Sequence, residues 1–273
     1  MRPAMGTLVH VSASGPDATR AVDAALDSVA QVDRLMSFHD PASELSMLNR
    51  EAARAPCTVH PWTWVVLRRA LRIAEASDGL FDITVAPLLV RGGLLPGSAG
   101  DALECGRWRQ IALLPGRRIF LGRPMMLDLG GIAKGFAVDL AIHVLRNAGC
   151  TQAVVNAGGD LRRFGPDLHP VHLRRHGTLL EVARLRRGAI ATSAPHAERP
   201  DRLAQPLGHI FDPATGGVWA GSGAVMVAAP SCVIADALTK VAALAGPACE
   251  PLLARFGARA FWDTDPSCST NMA

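Results

Sequence analysis

The two lysines of this sequence are its most distinctive candidates for chemistry. They are the only lysines among 28 basic residues, and each lies in a short motif: Lys134 in Asp128-Leu-Gly-Gly-Ile-Ala-Lys-Gly135 and Lys240 in Ile234-Ala-Asp-Ala-Leu-Thr-Lys240. Lysine carries a compact ammonium, whereas arginine carries a planar fork with a different hydrogen-bond geometry. Because the chain uses arginine everywhere else, these two positions indicate a requirement for an ammonium group. The alternative is a pair of surface lysines retained by chance.

Two pairs of adjacent glycines are the next candidate ligand-binding features. One pair lies within residues 128–131 and the other within residues 156–160, and each is close to an aspartate. Adjacent glycines permit tight turns in which backbone N–H groups approach a ligand phosphate closely. We expect Lys134 in the first turn of the helix that follows the first pair, where the helix dipole also favours anions. Together these features predict a phosphate-bearing ligand; taken singly, a glycine pair is equally typical of a plain turn.

Three polar residues late in the chain have the spacing of one helix face. Asp236, Thr239 and Lys240 are separated by three and four positions, so a helix presents them together. A carboxylate and a hydroxyl supply the oxygen ligands that Mg²⁺ prefers, with ligand phosphates and water completing its coordination. The same spacing also fits a plain Asp–Lys ion pair on a helix surface. The residues alone leave both interpretations open.

His209 is the candidate general base. It precedes a turn signal that runs from Asp212-Pro213 to Gly216. Because histidine titrates near neutral pH, such a residue can accept a proton from a hydroxyl nucleophile. The alternative is a histidine that only forms structural hydrogen bonds.

Hydrophobic periodicity predicts the strands and helices that must position these residues. Strands are expected at 7–12, 127–131, 153–155, 188–193 and 224–229. Helices are expected at 16–37, from Pro61 to a stop at Gly79, through Phe136 to a stop at Gly149, and at 232–244. Residues 89–106 are rich in glycine and proline and predict a loop. The alternation lacks the regular period of a parallel α/β sheet, so we expect a mixed α+β fold in a single domain, 1–273.

Composition argues against several classes of function. Hydrophobic residues make up 49% of the 273-residue chain, enough for a full core. The net charge of +4 comes from scattered arginines without interleaved aromatic residues, which disfavours nucleic-acid binding but suits an anionic small molecule. The six cysteines form no CxxC pair, so neither a zinc site nor a disulfide framework is indicated. No apolar run reaches the ~20 residues that a membrane span needs. The first residues show neither a leader sequence nor a lipid-attachment cysteine, so we expect a cytoplasmic protein.

Eight short motifs occur in a specific order along the chain. They are Met5-Gly-Thr7, Ser43-Glu-Leu-Ser46 with Asn49, Asp78-Gly-Leu-Phe-Asp-Ile-Thr-Val85 with Pro87, Asp128-Leu-Gly-Gly-Ile-Ala-Lys-Gly135, Asn156-Ala-Gly-Gly-Asp160, Ala191-Thr-Ser193, His209-Ile-Phe-Asp-Pro213 with Thr215-Gly216, and Ala235-Asp-Ala-Leu238. Each motif is common, but the ordered set is specific, and it resembles the ApbE family of FAD:protein FMN transferases over nearly the whole chain. The resemblance implies an α+β, T-fold-like architecture of mixed sheets with packed helices. It also implies that FAD binds with Mg²⁺, that its pyrophosphate is cleaved, and that FMN is attached through a phosphoester to a Ser or Thr hydroxyl of an acceptor protein while AMP leaves.

The resemblance further assigns roles to particular residues. The residues that it places against FAD are Met5, Phe38, Leu80, Phe81, Asp82, Asp128, Lys134 and His209. Asp236 would hold the metal with help from the Gly131 carbonyl, and Thr239 is the candidate hydroxyl ligand. His209 would also deprotonate the acceptor hydroxyl.

The chain departs from the family pattern at three positions. Phe38 stands where the family commonly has tyrosine, and Ala194 stands where glycine is usual. Lys240 occupies the position of the family's second metal side chain, which is generally threonine. Either Thr239 serves as the ligand after a small shift, or the Lys240 ammonium replaces part of the metal's charge. Two other functions therefore stay open: a non-catalytic FAD-binding or flavin-storage protein, and a pyrophosphatase that splits FAD into FMN and AMP.

Overall fold

The computed structural model of the 273-residue chain describes residues 1–97, 104–175, 178–194, 210–221 and 223–263. Its helices are α1 (Ala18–Met36), α2 (Glu44–Glu51), α3 (Pro61–Ala76), α4 (Ala86–Arg91), α5 (Ala133–Asn147), α6 (Cys232–Ala245) and α7 (Glu250–Arg255). Its strands are β1 (Arg2–Ala4), β2 (Thr7–Ser14), β3 (Cys57–Thr58), β4 (Ile111–Leu114), β5 (Arg118–Leu121), β6 (Gln152–Ala157), β7 (Asp160–Phe164), β8 (His169–Arg175), β9 (Thr178–Leu185), β10 (Gly188–Ser193), β11 (Val225–Ala229) and β12 (Arg259–Trp262). Helices and strands are mixed along the chain, which confirms the predicted α+β class.

A seven-stranded sheet forms the centre of the fold. Its strand order is β1-β2-β6-β7-β10-β11-β12, and every neighbouring pair is antiparallel. Side chains alternate between the two faces of such a sheet. Along β10, Ala189 and Ala191 join the main core, whereas Ile190 between them belongs to a second, smaller core. Both faces of the sheet are therefore covered by other parts of the chain.

Three helices cover one face of this sheet. α1 contacts β2, α5 contacts β6 and β7, and α6 contacts β10 and β11. The buried residues of α1 recur at helical spacing, from Ala21 and Ala25 to Val29 and Val32, so that one apolar stripe faces the core. α5 and α6 run antiparallel, because Gly135 of α5 contacts Asp236 while Asp139, one turn later, contacts Cys232. This crossing brings both lysine motifs to the same end of the helix pair.

The strands β8 and β9 form a hairpin on the other face of the central sheet. Val171 and Ala183 of this hairpin pack with Leu161, Ile190 and Met226 of the central strands. The hairpin pairs only with itself among the described strands, and a small third sheet has the order β3-β5-β4. The hairpin thus covers the second face by side-chain packing, without extending the sheet.

The predicted strand at residues 127–131 is wrong. The segment lies outside the strands, because other groups take its backbone hydrogen bonds. The Asn49 side chain donates to the Leu127 carbonyl at 3.0 Å and accepts from the Leu127 N–H at 2.8 Å. The Asp128 N–H donates to the Ile83 carbonyl at 2.8 Å. A side-chain amide from α2 therefore takes the place of a neighbouring strand and fixes the turn that leads into α5.

Most other predicted elements occur close to their expected positions. Residues 89–91, expected in a loop, form the end of α4, and part of the same predicted loop lies outside the described residues. No membrane span was expected, but the stretch Cys232–Arg255 is long and apolar enough by composition to cross a membrane. However, 61% of its apolar window is buried inside the fold. α6, the first part of this stretch, packs against the sheet, α3 and α5, as a core helix does.

Replacing Asn49 by alanine is expected to destabilise the fold. The change leaves the Leu127 N–H and carbonyl without their side-chain partner, a loss of roughly 1–3 kcal/mol. The free energy of unfolding, measured by urea denaturation, checks this expectation. Asn147→Ala is the matched control, because the exposed Asn147 amide pairs with the neighbouring His143 side chain and not with a backbone segment. Equal losses in the two variants would contradict the role given to Asn49.

Candidate active site

A cavity of about 930 Å³ lies where turns of the central sheet meet the β8–β9 hairpin. The β1–β2 turn, the segment from Leu80 to Val85 and both glycine turns contribute to its walls. Apolar side chains of the hairpin, such as Leu173 and Val182, form the facing wall. A cavity of this size and mixed polarity is typical of a site for a nucleotide-sized ligand.

Asp236 and the two lysines form an ion cluster beside this cavity. The Lys240 Nζ lies 2.5 Å from the Asp236 Oδ1, and the Lys134 Nζ lies 3.8 Å from the same oxygen. Lys134 also contacts the Asp160 Oδ2 at 2.5 Å. Both aspartates are almost completely buried, whereas both lysines line the cavity. The two lysines, and not the two carboxylates, therefore line the cavity on this side of the cluster.

The pKa shifts in the cluster follow from these contacts. Burial alone favours the neutral acid, but the ammonium groups of Lys134 and Lys240 outweigh it and lower the pKa of Asp236. Burial also opposes the charge on Lys134, yet the carboxylates of Asp160 and Asp236 raise the pKa of its ammonium well above the usual value. Lys134 and Asp236 are therefore both charged at neutral pH, and each stabilises the charge of the other.

The first glycine turn leads directly into α5. The Gly130 N–H donates to the Asp128 Oδ2 at 3.1 Å, so the aspartate side chain closes the turn. Burial raises the pKa of Asp128. Lys134 lies in the first turn of α5, as predicted. Its ammonium adds to the positive end of the helix dipole, and together they favour an anion in the cavity.

The second glycine turn joins β6 to β7 and lies against β2. The Gly159 N–H donates to the Asn156 Oδ1 at 3.0 Å. Gly158 has a φ of +65°, in the left-handed region, and a Cβ at this position would lie 2.6 Å from the Thr7 Oγ1. Thr7, Asn156 and both glycines line the cavity. Glycine at position 158 is therefore required by the backbone conformation and by the neighbouring strand.

Asp82 offers a carboxylate oxygen to a ligand. Its Oδ1 accepts from the Thr84 N–H at 2.7 Å, but its buried Oδ2 has no hydrogen-bond partner among the described residues. Burial raises the pKa of Asp82, although hydrogen bonds from Thr84 offset part of the effect. Because buried polar atoms are normally paired, an N–H or hydroxyl of a bound ligand is the expected partner of this oxygen.

The structure brings most of the predicted FAD-contacting residues to this one cavity. The predicted site residues that line it are Met5, Leu80, Phe81, Asp82, Asp128, Gly131 and Lys134. Phe38 is not among the described residues that line the cavity; its side chain packs against the main core. His209 lies outside the described residues. The FAD-binding and catalytic roles assigned to all of these residues stay predictions.

The oxygen atoms around Asp236 are not available as ligands of a divalent metal ion in this arrangement. Both oxygens of the carboxylate already accept from the protein, Oδ1 from Lys240 and Oδ2 from the Gly135 N–H at 2.9 Å. The Thr239 hydroxyl is fully buried and pairs with the Ser193 hydroxyl at 2.8 Å and with the Asp236 carbonyl at 2.7 Å. Within the described ranges, no group of three or more His, Cys, Asp or Glu side chains could hold a metal ion. A cation would therefore have to displace an ammonium group before it could bind Asp236.

The contribution of the hairpin to the cavity was missed in the sequence. His169 and His172 of β8 both line the cavity. Burial lowers the pKa of His169, and the nearby charge of Arg163 lowers it further, so its imidazole is neutral near pH 7. Residues three apart lie on opposite faces of a regular strand, but the register of β8 shifts between Val171 and His172. In the sequence, only the spacing of the two histidines could have indicated that both line the cavity. In a regular strand this spacing would place them on opposite faces, so the sequence argued against such a pair.

Together, the sheet, the glycine turns and the paired lysines define an α+β protein whose cavity suits an anionic ligand. The chain belongs to the ApbE family, whose sequence profile matches residues 5–262. This match confirms the family that the ordered motifs predicted.

Similar proteins agree with this assignment in sequence and in fold. The FAD:protein FMN transferase of Vibrio cholerae serotype O1 is 27% identical over 236 residues, which cover 78% of this chain and 71% of its own length. The FAD:protein FMN transferase of Treponema pallidum is 28% identical over 272 residues, covering 86% and 75%. The crystal structure of the ApbE protein of Thermotoga maritima superposes with a TM-score of 0.81 at 27% identity, covering 96% of this chain and 92% of that one. The likeness therefore extends over the central sheet, the helices and the cavity-forming turns.

Gly158→Ala is expected to destabilise the protein more than Gly149→Ala. Both glycines have a positive φ, which costs alanine ~1–2 kcal/mol in either place. Only at position 158 would the new methyl group meet Thr7, and this overlap adds about 1–3 kcal/mol. At position 149 no described atom lies within 4 Å of the new Cβ. Urea denaturation of both variants measures the difference, and equal losses would show that the turn tolerates a side chain beside Thr7.

Proposed function

We propose that this protein transfers the FMN part of FAD to a Ser or Thr hydroxyl of an acceptor protein and releases AMP. The observation that carries the proposal is the pair of ammonium groups, Lys134 and Lys240, which line a cavity bounded by two glycine turns. Such a site suits a ligand with two adjacent phosphate groups, and the pyrophosphate of FAD is one. The apolar walls suit the flavin and adenine rings.

The comparisons support the class of reaction. The relatives in Vibrio cholerae and Treponema pallidum carry the name FAD:protein FMN transferase, which confirms the expectation of a transferase enzyme. That name also supports FAD as the substrate and a protein as the acceptor. The Ser or Thr hydroxyl and the phosphoester product belong to the proposal and rest on the resemblance of the motifs.

The reaction is a displacement at the phosphorus atom of the FMN half. The acceptor hydroxyl oxygen forms a new bond to this phosphorus, and the bond from phosphorus to the bridging oxygen breaks. The electron pair of the broken bond stays on the bridging oxygen, which leaves as part of AMP. The hydroxyl proton passes to a base. The protein supplies positioning and positive charge, which are the main contributions that phosphoryl transfer requires.

Four of the residues that line the cavity have a proposed part in this reaction. Lys134, at the N-terminus of α5, stabilises negative charge that develops on the phosphate oxygens. The free Oδ2 of Asp82 accepts a hydrogen bond from the flavin or from a ribityl hydroxyl. Phe81 and Leu80 pack against the flavin ring in the same part of the cavity.

Incubation with FAD and a Ser- or Thr-containing acceptor domain from the same genome tests the function. Mass spectrometry should show an FMN-sized gain on the acceptor together with release of AMP, and replacement of the acceptor hydroxyl residue by alanine should abolish the gain. Tight FAD binding without either product would instead indicate a flavin-storage protein. Free FMN and AMP without labelling of a proven acceptor would indicate a pyrophosphatase.

Lys134→Met is expected to slow FMN transfer by about 10²–10³-fold, because a preorganised charge beside the phosphate is lost. Single-turnover rates at saturating FAD measure the effect. Arg123→Met is the matched control, since it removes a cation from an exposed ion pair with Glu104 that does not line the cavity. This control should transfer FMN at the normal rate. Near-normal transfer by a folded Lys134→Met protein would remove Lys134 from the reaction.

His209 is the proposed base for the acceptor hydroxyl, on the strength of the motif that contains it. His209→Ala is therefore expected to lower the rate of transfer by about 10²–10⁴-fold while FAD binding remains. Transfer rates measured across pH 5–9 check this role, because loss of the base should remove the rise in rate near neutral pH. His169→Ala is the comparison, since His169 is a neutral histidine that lines the cavity. A larger loss in His169→Ala would assign the base to the hairpin instead.

A further inference from the structure

We infer that the Lys240 ammonium replaces a divalent cation in this protein, so that FAD binds and reacts without an added metal ion. This inference rests on the proposed function and concerns the same site. Lys240 differs from Lys134 because it lies on α6, four residues after Asp236, on the same face of the helix. Its side chain therefore reaches the Asp236 carboxylate from its own helix.

The Lys240 side chain covers the groups that a metal ion would need. Its Nζ donates to the Asp236 Oδ1 at 2.5 Å and to the Asp236 carbonyl at 2.9 Å. Its stem passes over the first glycine turn, because a Cβ added at Gly131 would lie 3.4 Å from the Lys240 Cε. The Thr239 hydroxyl faces Ser193 instead. Asp236, which the family resemblance assigned to the metal, is therefore engaged by Lys240, and the Lys240 stem lies beside Gly131. Thr239, the alternative hydroxyl ligand, is already paired.

Electrostatics also disfavours a divalent cation at this point. The Lys134 Nζ lies 3.8 Å from the Asp236 Oδ1, the oxygen that Lys240 already contacts. A metal ion on this oxygen would therefore lie next to two ammonium groups, and like charges repel strongly at such distances inside a protein. The second oxygen is held by the Gly135 N–H at the start of α5. Metal binding would require Lys240 to leave its carboxylate and carbonyl partners.

In this geometry the ammonium groups are placed to stabilise the phosphate charge that a divalent cation would otherwise stabilise. Both lysines line the cavity, whereas the buried Asp160 and Asp236 do not. Each phosphate of the FAD pyrophosphate carries a negative charge, and the two ammonium groups face this charge while Asp160 and Asp236 balance part of their own. The lysines also provide several N–H donors that can follow the phosphate oxygens as the bond to AMP breaks.

Manganese binding, followed by electron paramagnetic resonance of free Mn²⁺, tests the inference without reference to activity. The wild-type protein should bind no Mn²⁺ at this site, whereas Lys240→Thr should bind it at least about tenfold more tightly, because the change frees Asp236 and adds a hydroxyl. Lys240→Met frees Asp236 without adding a ligand and should fall between them. Lys240→Arg keeps the charge and should bind no better than wild type.

The double variant Asp236→Asn/Lys240→Thr is the control for the location of the ion. It should lose the Mn²⁺ binding gained by Lys240→Thr. Wild-type binding as tight as that of Lys240→Thr, and lost in Asp236→Asn, would overturn the inference. A folded Lys240→Thr protein that gains no affinity would also overturn it. Should that protein not fold, Lys240→Ser offers the same hydroxyl and is judged by the same criterion.

A chelator experiment on the wild-type protein separates this inference from the proposed function. FMN transfer and FAD binding, the latter followed by quenching of flavin fluorescence, should both persist in excess EDTA. Transfer that occurs with Mg²⁺ but stops in EDTA would overturn the role of Lys240 while leaving the proposed function intact. The absence of transfer under every condition, with an acceptor that a relative does label, would overturn the proposed function itself.

Discussion

The burial of Asp236 is the constraint on which the site depends. A fully buried carboxylate is tolerated only when donors and positive charges surround it, because desolvation of a lone charge costs several kcal/mol. Here the compensation comes from Lys240 on the same helix, from Lys134 on α5 and from the Gly135 backbone. The positions of α5 and α6 relative to each other therefore determine whether the carboxylate is satisfied.

A second carboxylate makes this dependence mutual. Asp139 of α5 accepts from the N–H groups of Cys232 and Val233 at the start of α6, at 2.8 and 3.0 Å. In return, Asp236 of α6 accepts from the N–H of Gly135 at the start of α5. Each antiparallel helix thus caps the N-terminus of the other, which satisfies orphan N–H groups and places a negative charge at each positive helix end. This reciprocal capping explains why Lys134, one residue before Gly135, has a fixed position beside Asp236.

Local patterns predicted the parts of this arrangement that depend on local sequence. The spacing of apolar residues located α1, α5, α6, β6 and β10, and the motif resemblance named seven of the residues that line the cavity. Long-range partners were not predictable in the same way. The apolar residues at 127–131 predicted a strand. In the structure, Asn49, which is distant in sequence, forms the hydrogen bonds that a neighbouring strand would have formed. The hairpin wall and its two histidines depend on a shift of strand register, which periodicity does not show.

The position of Lys240 determines how much positive charge the site contains. A divalent ion would bring two charges and could exchange with solvent, whereas an ammonium brings one charge and stays attached to α6. Because the single charge of Lys240 already contacts Asp236, little of it remains for a phosphate unless other cations contribute. Lys134 lies at the N-terminus of α5 and stays charged over the physiological range, but it too contacts carboxylates, those of Asp160 and Asp236. The positive end of the helix dipole therefore adds to what the two lysines supply. Under the proposed function, the two lysines and the helix dipole therefore act together on the pyrophosphate.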